Sequence, residues 1–198
     1  MLFRSVFTFL IGALYAQAAH AALTSKQVVT SIKAVTTASQ STNDALTVIT
    51  TTSSVTEITF ASRKLVSGFK DIVTSITAVV PKITSTETFP DDEGKAIIEA
   101  LTDFVLVHQL LLSTVIGKHS IFAQFSLTAP IAAVLRLLEA QVDALAFALI
   151  HLIPTRSSSI QKSQKTLSIS LDSSISTYTE FCIPSIFWPA VKPKCVAA

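Results

Sequence analysis

Backbone breakers are what this chain has least of. It holds four glycines in 198 residues, and its seven prolines leave long intervals untouched. With so little to interrupt the backbone, long helices are expected. Charge is also thin: 14% of residues are charged, the formal balance is +2, and basic and acidic side chains are scattered along the chain. Such a distribution creates no field that would attract a polyanion, so nucleic acid is not an expected partner. Signatures of chemistry are missing too. There is no GxSxG, no HExxH and no phosphate-binding glycine loop, and neither a metal nor a cofactor is expected. No Asn-x-Ser/Thr acceptor occurs, because Asn43 is followed by Asp44 and Ala45. Ser/Thr-rich stretches such as 50–54 leave O-linked sugar open on composition alone.

What is present begins with an export leader. Arg4 supplies a positive start, residues 6–14 an apolar run, and Ala16, Ala18, Ala19, Ala21 and Ala22 small residues for cleavage. The cut is expected after Ala21, with Ala18 as the alternative, and His20 then leaves with the leader. The run is shorter than the roughly 20 apolar residues of a spanning helix. Export places Cys182 and Cys195, the sole cysteines, in an oxidising compartment, where a bridge between them is expected. Closing so short a loop contributes on the order of 3 kcal/mol in the chain-entropy model, and it tethers a tail without stapling a core. The remaining chain of about 175 residues suits one domain with one core. The chain thus divides into a signal peptide (1–21), a helical-bundle domain (22–181) and an irregular tail (182–198).

Within the domain, apolar residues recur at steps of three and four, the period of a helix face. Val28, Ile32, Val35, Ser39, Thr42 and Leu46 share one face of a first helix that Thr24 or Ser25 can cap. Ile58, Leu65, Phe69, Ile72 and Ile76 line a second, expected to end near Pro81. Asp91, Asp92 and Glu93 open a third, where negative charge offsets the helix dipole. Its stripe carries Ile97, Leu101, Phe104, His108, Leu111 and Val115, with Gly117 as the expected stop. The linker after it holds Ile121, Phe122 and Phe125 and should fold onto the bundle. Pro130 sits in the first turn of a fourth helix carrying Leu138, Val142, Leu145 and Leu149 inward. A fifth starts near Ser157 with Ile160, Leu167, Leu171 and Ile175. The fold class is therefore all-α, an antiparallel bundle of about five amphipathic helices. Glu99, Asp103 and His108 in the third helix, and Arg136, Glu139 and Asp143 in the fourth, argue against a membrane span. The short, proline-broken tail argues against a GPI anchor.

Polar residues inside apolar stripes are the candidates for function. His108 reads either as a buried histidine with a local partner or as a polar group that touches a ligand. Ser39 and Thr42 each bond their own helix carbonyl one turn back or border a cavity and meet a lipid head group. His119 and His151 lie at helix ends, where a positive side chain complements the dipole. The acid pairs Glu99/Asp103 and Glu139/Asp143 read as solvated outer faces, since no histidine stands at matching spacing.

Three stretches then carry a resemblance: TSKQVVTSIKAVTTAS after the leader, IGKHSIF closing the third helix, and LTAPIAAVLRLLEAQVDALAFALI forming the fourth. Together they resemble the fungal hydrophobic-surface-binding proteins, also called cell-wall galactomannoproteins, over roughly Leu23 to Phe181. The resemblance implies a secreted five-helix bundle. Some members bind a fatty acid in a central apolar tunnel, others adsorb to hydrophobic surfaces, and neither activity is enzymatic. Because the family offers no invariant motif, ligand-facing residues follow from helix phase alone: Val35, Ser39, Thr42, Phe69, Ile72, Leu101, Phe104, His108, Leu138, Leu145 and Leu171. The tail from Cys182 onward, with Trp188, lies outside the family pattern. A structural wall mannoprotein without a stoichiometric ligand is the alternative, and self-association is left open. A hydrolase would require a serine or acid beside His108 in an open cleft.

Overall fold

The computed structural model describes residues 22–197. The expected leader and His20 lie outside the described residues. Six α-helices follow in order: α1 (Ser25–Thr47), α2 (Val55–Thr84), α3 (Asp91–Gly117), α4 (His119–Gln124), α5 (Thr128–Leu152) and α6 (Ser157–Thr179). A 3-10 turn (Pro154–Arg156) precedes α6, and two short strands, β1 (Phe181–Ile183) and β2 (Lys194–Val196), form a terminal hairpin.

Local chemistry explains most boundaries. Thr24 and Ser54 cap α1 and α2 through capping boxes with Gln27 and Glu57, and the Ser54 bonds hold the Glu57 carboxyl below its ordinary pKa. One expected boundary and one expected cap are corrected. Helix α2 passes through Pro81 and runs on to Thr84. Proline removes one backbone bond, but the fully buried Ile83 holds the turn beyond it. Helix α3 does end at Gly117, though not by a left-handed glycine cap. No described glycine has positive φ, and the chain passes through Lys118 in right-handed geometry directly into α4. The left-handed residue is Ser126 (φ 55°), which turns the chain from α4 into α5.

The five long helices close into a ring. Helix α1 packs on α2 and α3, α5 packs on α2 and α6, and α3 and α6 complete the circuit. Successive helices run antiparallel, but five members cannot alternate around a circle. Contacts at the two ends fix the directions. Lys118 Nζ donates to the Ile49 carbonyl, and Tyr178 Oη to that of Val115. At the opposite end Leu23 N donates to Thr86 Oγ1, Phe89 N to the Leu152 carbonyl, and Arg156 pairs with Asp91. The seams α1/α3, α2/α5 and α3/α6 are therefore parallel. Helix α4 lies across the end where α3 stops and α5 starts, with Ile121, Phe122 and Ala123 buried beneath it, so the linker does fold onto the bundle.

This architecture sets the problem that the core solves. Helix axes that pack 8–10 Å apart place the centre of a five-membered ring about 7–8 Å from each axis. That is farther than the midline of an ordinary helix pair, so the centre must be filled by large side chains or by a ligand. Phe69, Phe104, Phe122 and Tyr178 are among the largest fully buried side chains.

Candidate functional site

The eleven candidate residues, Val35, Ser39, Thr42, Phe69, Ile72, Leu101, Phe104, His108, Leu138, Leu145 and Leu171, are all buried. Two polar members meet. Ser39 on α1 and His108 on α3, both 0% exposed, place Oγ and Nδ1 2.9 Å apart. Ser39 Oγ also lies 2.9 Å from the Val35 carbonyl, one turn back. A hydroxyl has one proton, and a carbonyl can only accept, so Ser39 donates to Val35 and accepts from the Nδ1–H of His108. Nε2 of His108 is then a bare acceptor, and it is buried with no hydrogen-bond partner. Burial in these apolar surroundings pushes the His108 pKa down to about 3. The imidazole is neutral at ordinary pH and packs on the Phe104 ring, centroids 4.4 Å apart and planes tilted by 43°. Thr42 bonds its own helix carbonyl at Ala38.

The interior around these residues is tightly filled. A void between α3, α5 and α6, lined by Leu101, Phe104, Leu145 and Leu167, measures about 10 Å³, on the order of a single water. The larger space lies outside the ring in the α1/α2 seam. There a half-open groove of about 690 Å³ has a floor of Ala38, Thr42, Ala45, Ala61 and Gly68 and a rim that includes Phe60, Lys64 and Glu57. Its volume falls in the 300–1,000 Å³ range of small-molecule pockets. Sequence reasoning took Thr42 alone from this lining. The available signal was a pair of small-residue steps of seven, Ala38/Ala45 and Ala61/Gly68, which let two helices approach closely on one side and splay on the other.

Other candidates resolve into structural roles. His119 does not act as a charged cap. It is buried at the start of α4 against Tyr178 and the Cys182 sulfur, and burial lowers its pKa against the opposing pull of Glu180. His151 is exposed in the last turn of α5, as the dipole argument requires. Glu99 and Asp103 are exposed. Glu139 and Asp143 lie half-buried in the α5/α6 seam, not on an open outer face. Partial burial and the neighbouring Asp172 raise the Glu139 pKa, and Asp143 accepts from Gln164. Cys182 and Cys195 are joined by a disulfide across the hairpin.

A five-helix ring with an apolar interior and an unpaired imidazole nitrogen buried in it is the setting for the comparisons with known proteins. The family of hydrophobic surface binding protein A matches residues 25–151, well over half of the chain. The chain belongs to the hydrophobic surface binding protein A family. No curated protein sequence matches it significantly. Among solved structures, AFMP4P in complex with palmitic acid is similar, with a TM-score of 0.69, 13% identity, and coverage of 78% of this chain and 99% of that one. Ligand-binding domain 1 of the Penicillium marneffei MP1 protein, complexed with arachidonic acids, has a TM-score of 0.67 at 12% identity, covering 77% and 95%. At such identities the likeness is one of fold. The hydrophobic surface binding protein A match ends before α6, so α6 and the hairpin lie beyond it.

Proposed function

We propose that this hydrophobic surface binding protein A family member is an extracellular lipid binder that acts by binding alone. In this reading it holds an acyl chain along the axis of the ring, with the head group at His108. The observation that carries the reading is the bare, fully buried Nε2 of His108. A buried acceptor without a partner costs on the order of 1–3 kcal/mol, and native proteins rarely leave one so without reason. A lipid head that brings a donor, either a hydroxyl or a protonated carboxyl, satisfies it. An ionised carboxylate does not, because it can only accept. The fatty-acid complexes of the similar folds support an acyl ligand. Entry requires side chains to move aside from the ring axis, and about 0.8 kcal/mol per buried methylene favours it.

The Ser39–His108 contact has the look of a nucleophile and its base, yet its geometry favours binding. Both side chains are sealed from solvent, the serine proton is directed at Val35, and the imidazole is too weak a base at a pKa of about 3. Lipid extraction from the purified mature protein, followed by mass spectrometry, tests the proposal. A co-purifying single-chain lipid with a hydroxyl or carboxyl head is the expected result. A protein that is empty and also refuses fluorescent fatty acids would leave the wall-coat alternative. The α1/α2 groove favours a second reading, in which the acyl chain lies in that seam. Ala45→Phe would then block uptake while His108→Leu would not.

A further inference from the structure

The terminal hairpin carries a second apolar feature that lipid binding inside the ring does not use. Its strands pair Phe181 with Val196 and Ile183 with Lys194. Cys182 and Cys195 lie toward α4, and the four residues flanking them are exposed. The loop between the strands exposes Ile186 (90%), Phe187 (65%) and Val191 (52%). Apolar side chains on a mobile tail would carry little meaning, but this loop is braced. The disulfide closes it, Gln124 of α4 exchanges two hydrogen bonds with the Ser185 backbone, and Trp188 packs edge-on against Phe125. A fixed loop that holds its largest apolar side chains in water marks an interaction site.

Charge identifies the partner. Residues 181–197 contain Lys192 and Lys194, both exposed, and no acidic residue. Aliphatic and aromatic tips flanked by lysines, with a tryptophan at their base, match the layered chemistry of a bilayer surface. The apolar tips reach the acyl boundary while the ammonium groups meet anionic head groups. The hairpin stands at the α4 end of the ring, on the helix that covers that end. The mouth of the α1/α2 seam, between Thr47 and Val55, lies at the same end through the Lys118–Ile49 contact.

We propose that the disulfide hairpin docks the protein on an anionic lipid bilayer through Ile186 and Phe187, with Lys192 and Lys194 against the head groups. The inference goes beyond ligand binding within the ring and does not depend on it. Trp188, the sole tryptophan of the chain, reports docking directly. The full-length oxidised protein is mixed with phosphatidylcholine vesicles with or without phosphatidylserine. The expected result is a blue shift of Trp188 emission and quenching by brominated acyl chains, stronger with phosphatidylserine and weakened by salt. Ile186→Ser with Phe187→Ser should weaken binding at least tenfold. Lys192→Glu with Lys194→Glu should remove the preference for phosphatidylserine, at about fivefold per lysine. These side chains are exposed, so the variants should fold, and uptake of detergent-dispersed fluorescent fatty acid should persist in both. His108→Leu should leave docking unchanged. A silent Trp188 on both vesicle types, or docking indifferent to the Ile186/Phe187 pair, would overturn the proposal. So would concentration-dependent dimers that the same double variant abolishes, since the patch would then belong to a second copy.

Discussion

At the scale of single residues, His108 couples the site to pH. Burial lowers its pKa from 6.5 to about 3. Between those values the unfolded chain takes up a proton that the folded chain refuses. Stability is therefore full above about pH 6.5 and falls as the pH drops toward 3, by up to about 1.4 kcal/mol per pH unit. His119, also lowered by burial, adds in the same direction. Thermal unfolding across this range should show a midpoint that falls with acid in the native chain and falls less steeply in His108→Leu. Parallel slopes would show that the imidazole is not held neutral. Gly68 is the second residue with a sharp consequence. A Cβ there would stand 2.3 Å from Thr42 Oγ1 and 2.8 Å from its Cγ2 across the α1/α2 seam. Gly68→Ala should cost about 1–3 kcal/mol by overpacking. Thr42→Ala, which removes both clashing atoms, should restore most of it in a double-mutant cycle. Simple additivity of the two changes would refute the close approach.

The helices themselves differ in how much they depend on their neighbours. Helices α1 and α6 are rich in Ser and Thr, and many of those hydroxyls bond the carbonyl one turn back, as Thr30, Thr36, Ser173 and Thr177 do. Such residues are modest helix formers, so these two helices rely on burial of one face, and α1 also on its capping box. Thr24→Ala and Ser54→Ala should each cost about 1 kcal/mol by chemical denaturation. Because the two caps start helices at opposite ends of the ring, their costs should add. A negligible effect of Ser54→Ala would mean that packing alone sets the start of α2. Periodicity, the Thr24 cap and the acidic start at Asp91 made the boundaries of α1 and α3 legible, whereas the Ser54 cap and α4 were not singled out. Pro81 reads as a stop because proline costs a bond, and it is overruled by the burial of Ile83. His119 reads as a charged cap because it follows a glycine. The linker's fold back onto the bundle buries it instead.

On the scale of the whole molecule, the ring and the hairpin are separable. The disulfide spans a sequence separation of 13 and encloses no part of a long helix. Reduction should therefore leave the helical circular dichroism and its thermal midpoint close to those of the oxidised protein. Trp188 emission should shift red as its contact with Phe125 loosens. Loss of helix signal on reduction would show instead that the hairpin holds the bundle together. Helix α3 is, by length and composition, apolar enough to cross a membrane. Its apolar stripe faces the ring's interior, where Leu101, Phe104, Leu111 and Val115 are buried.

Fold class, the five long helices and the buried face of each are legible in one dimension, because burial imposes a 3.6-residue period that each segment carries on its own; the short α4, read as linker, is not. All eleven ligand-facing candidates are buried for that reason. Which helices become neighbours has no such local signature. The circuit that places α1 beside α3 and joins Ser39 to His108 across 69 positions depends on connections that cross the ends of the ring. The same holds for the groove at Gly68, for the burial of His119 and for the braced hairpin that holds Ile186 and Phe187 in water. Each arises from contacts between segments distant in sequence, whose energies enter only when the ring closes.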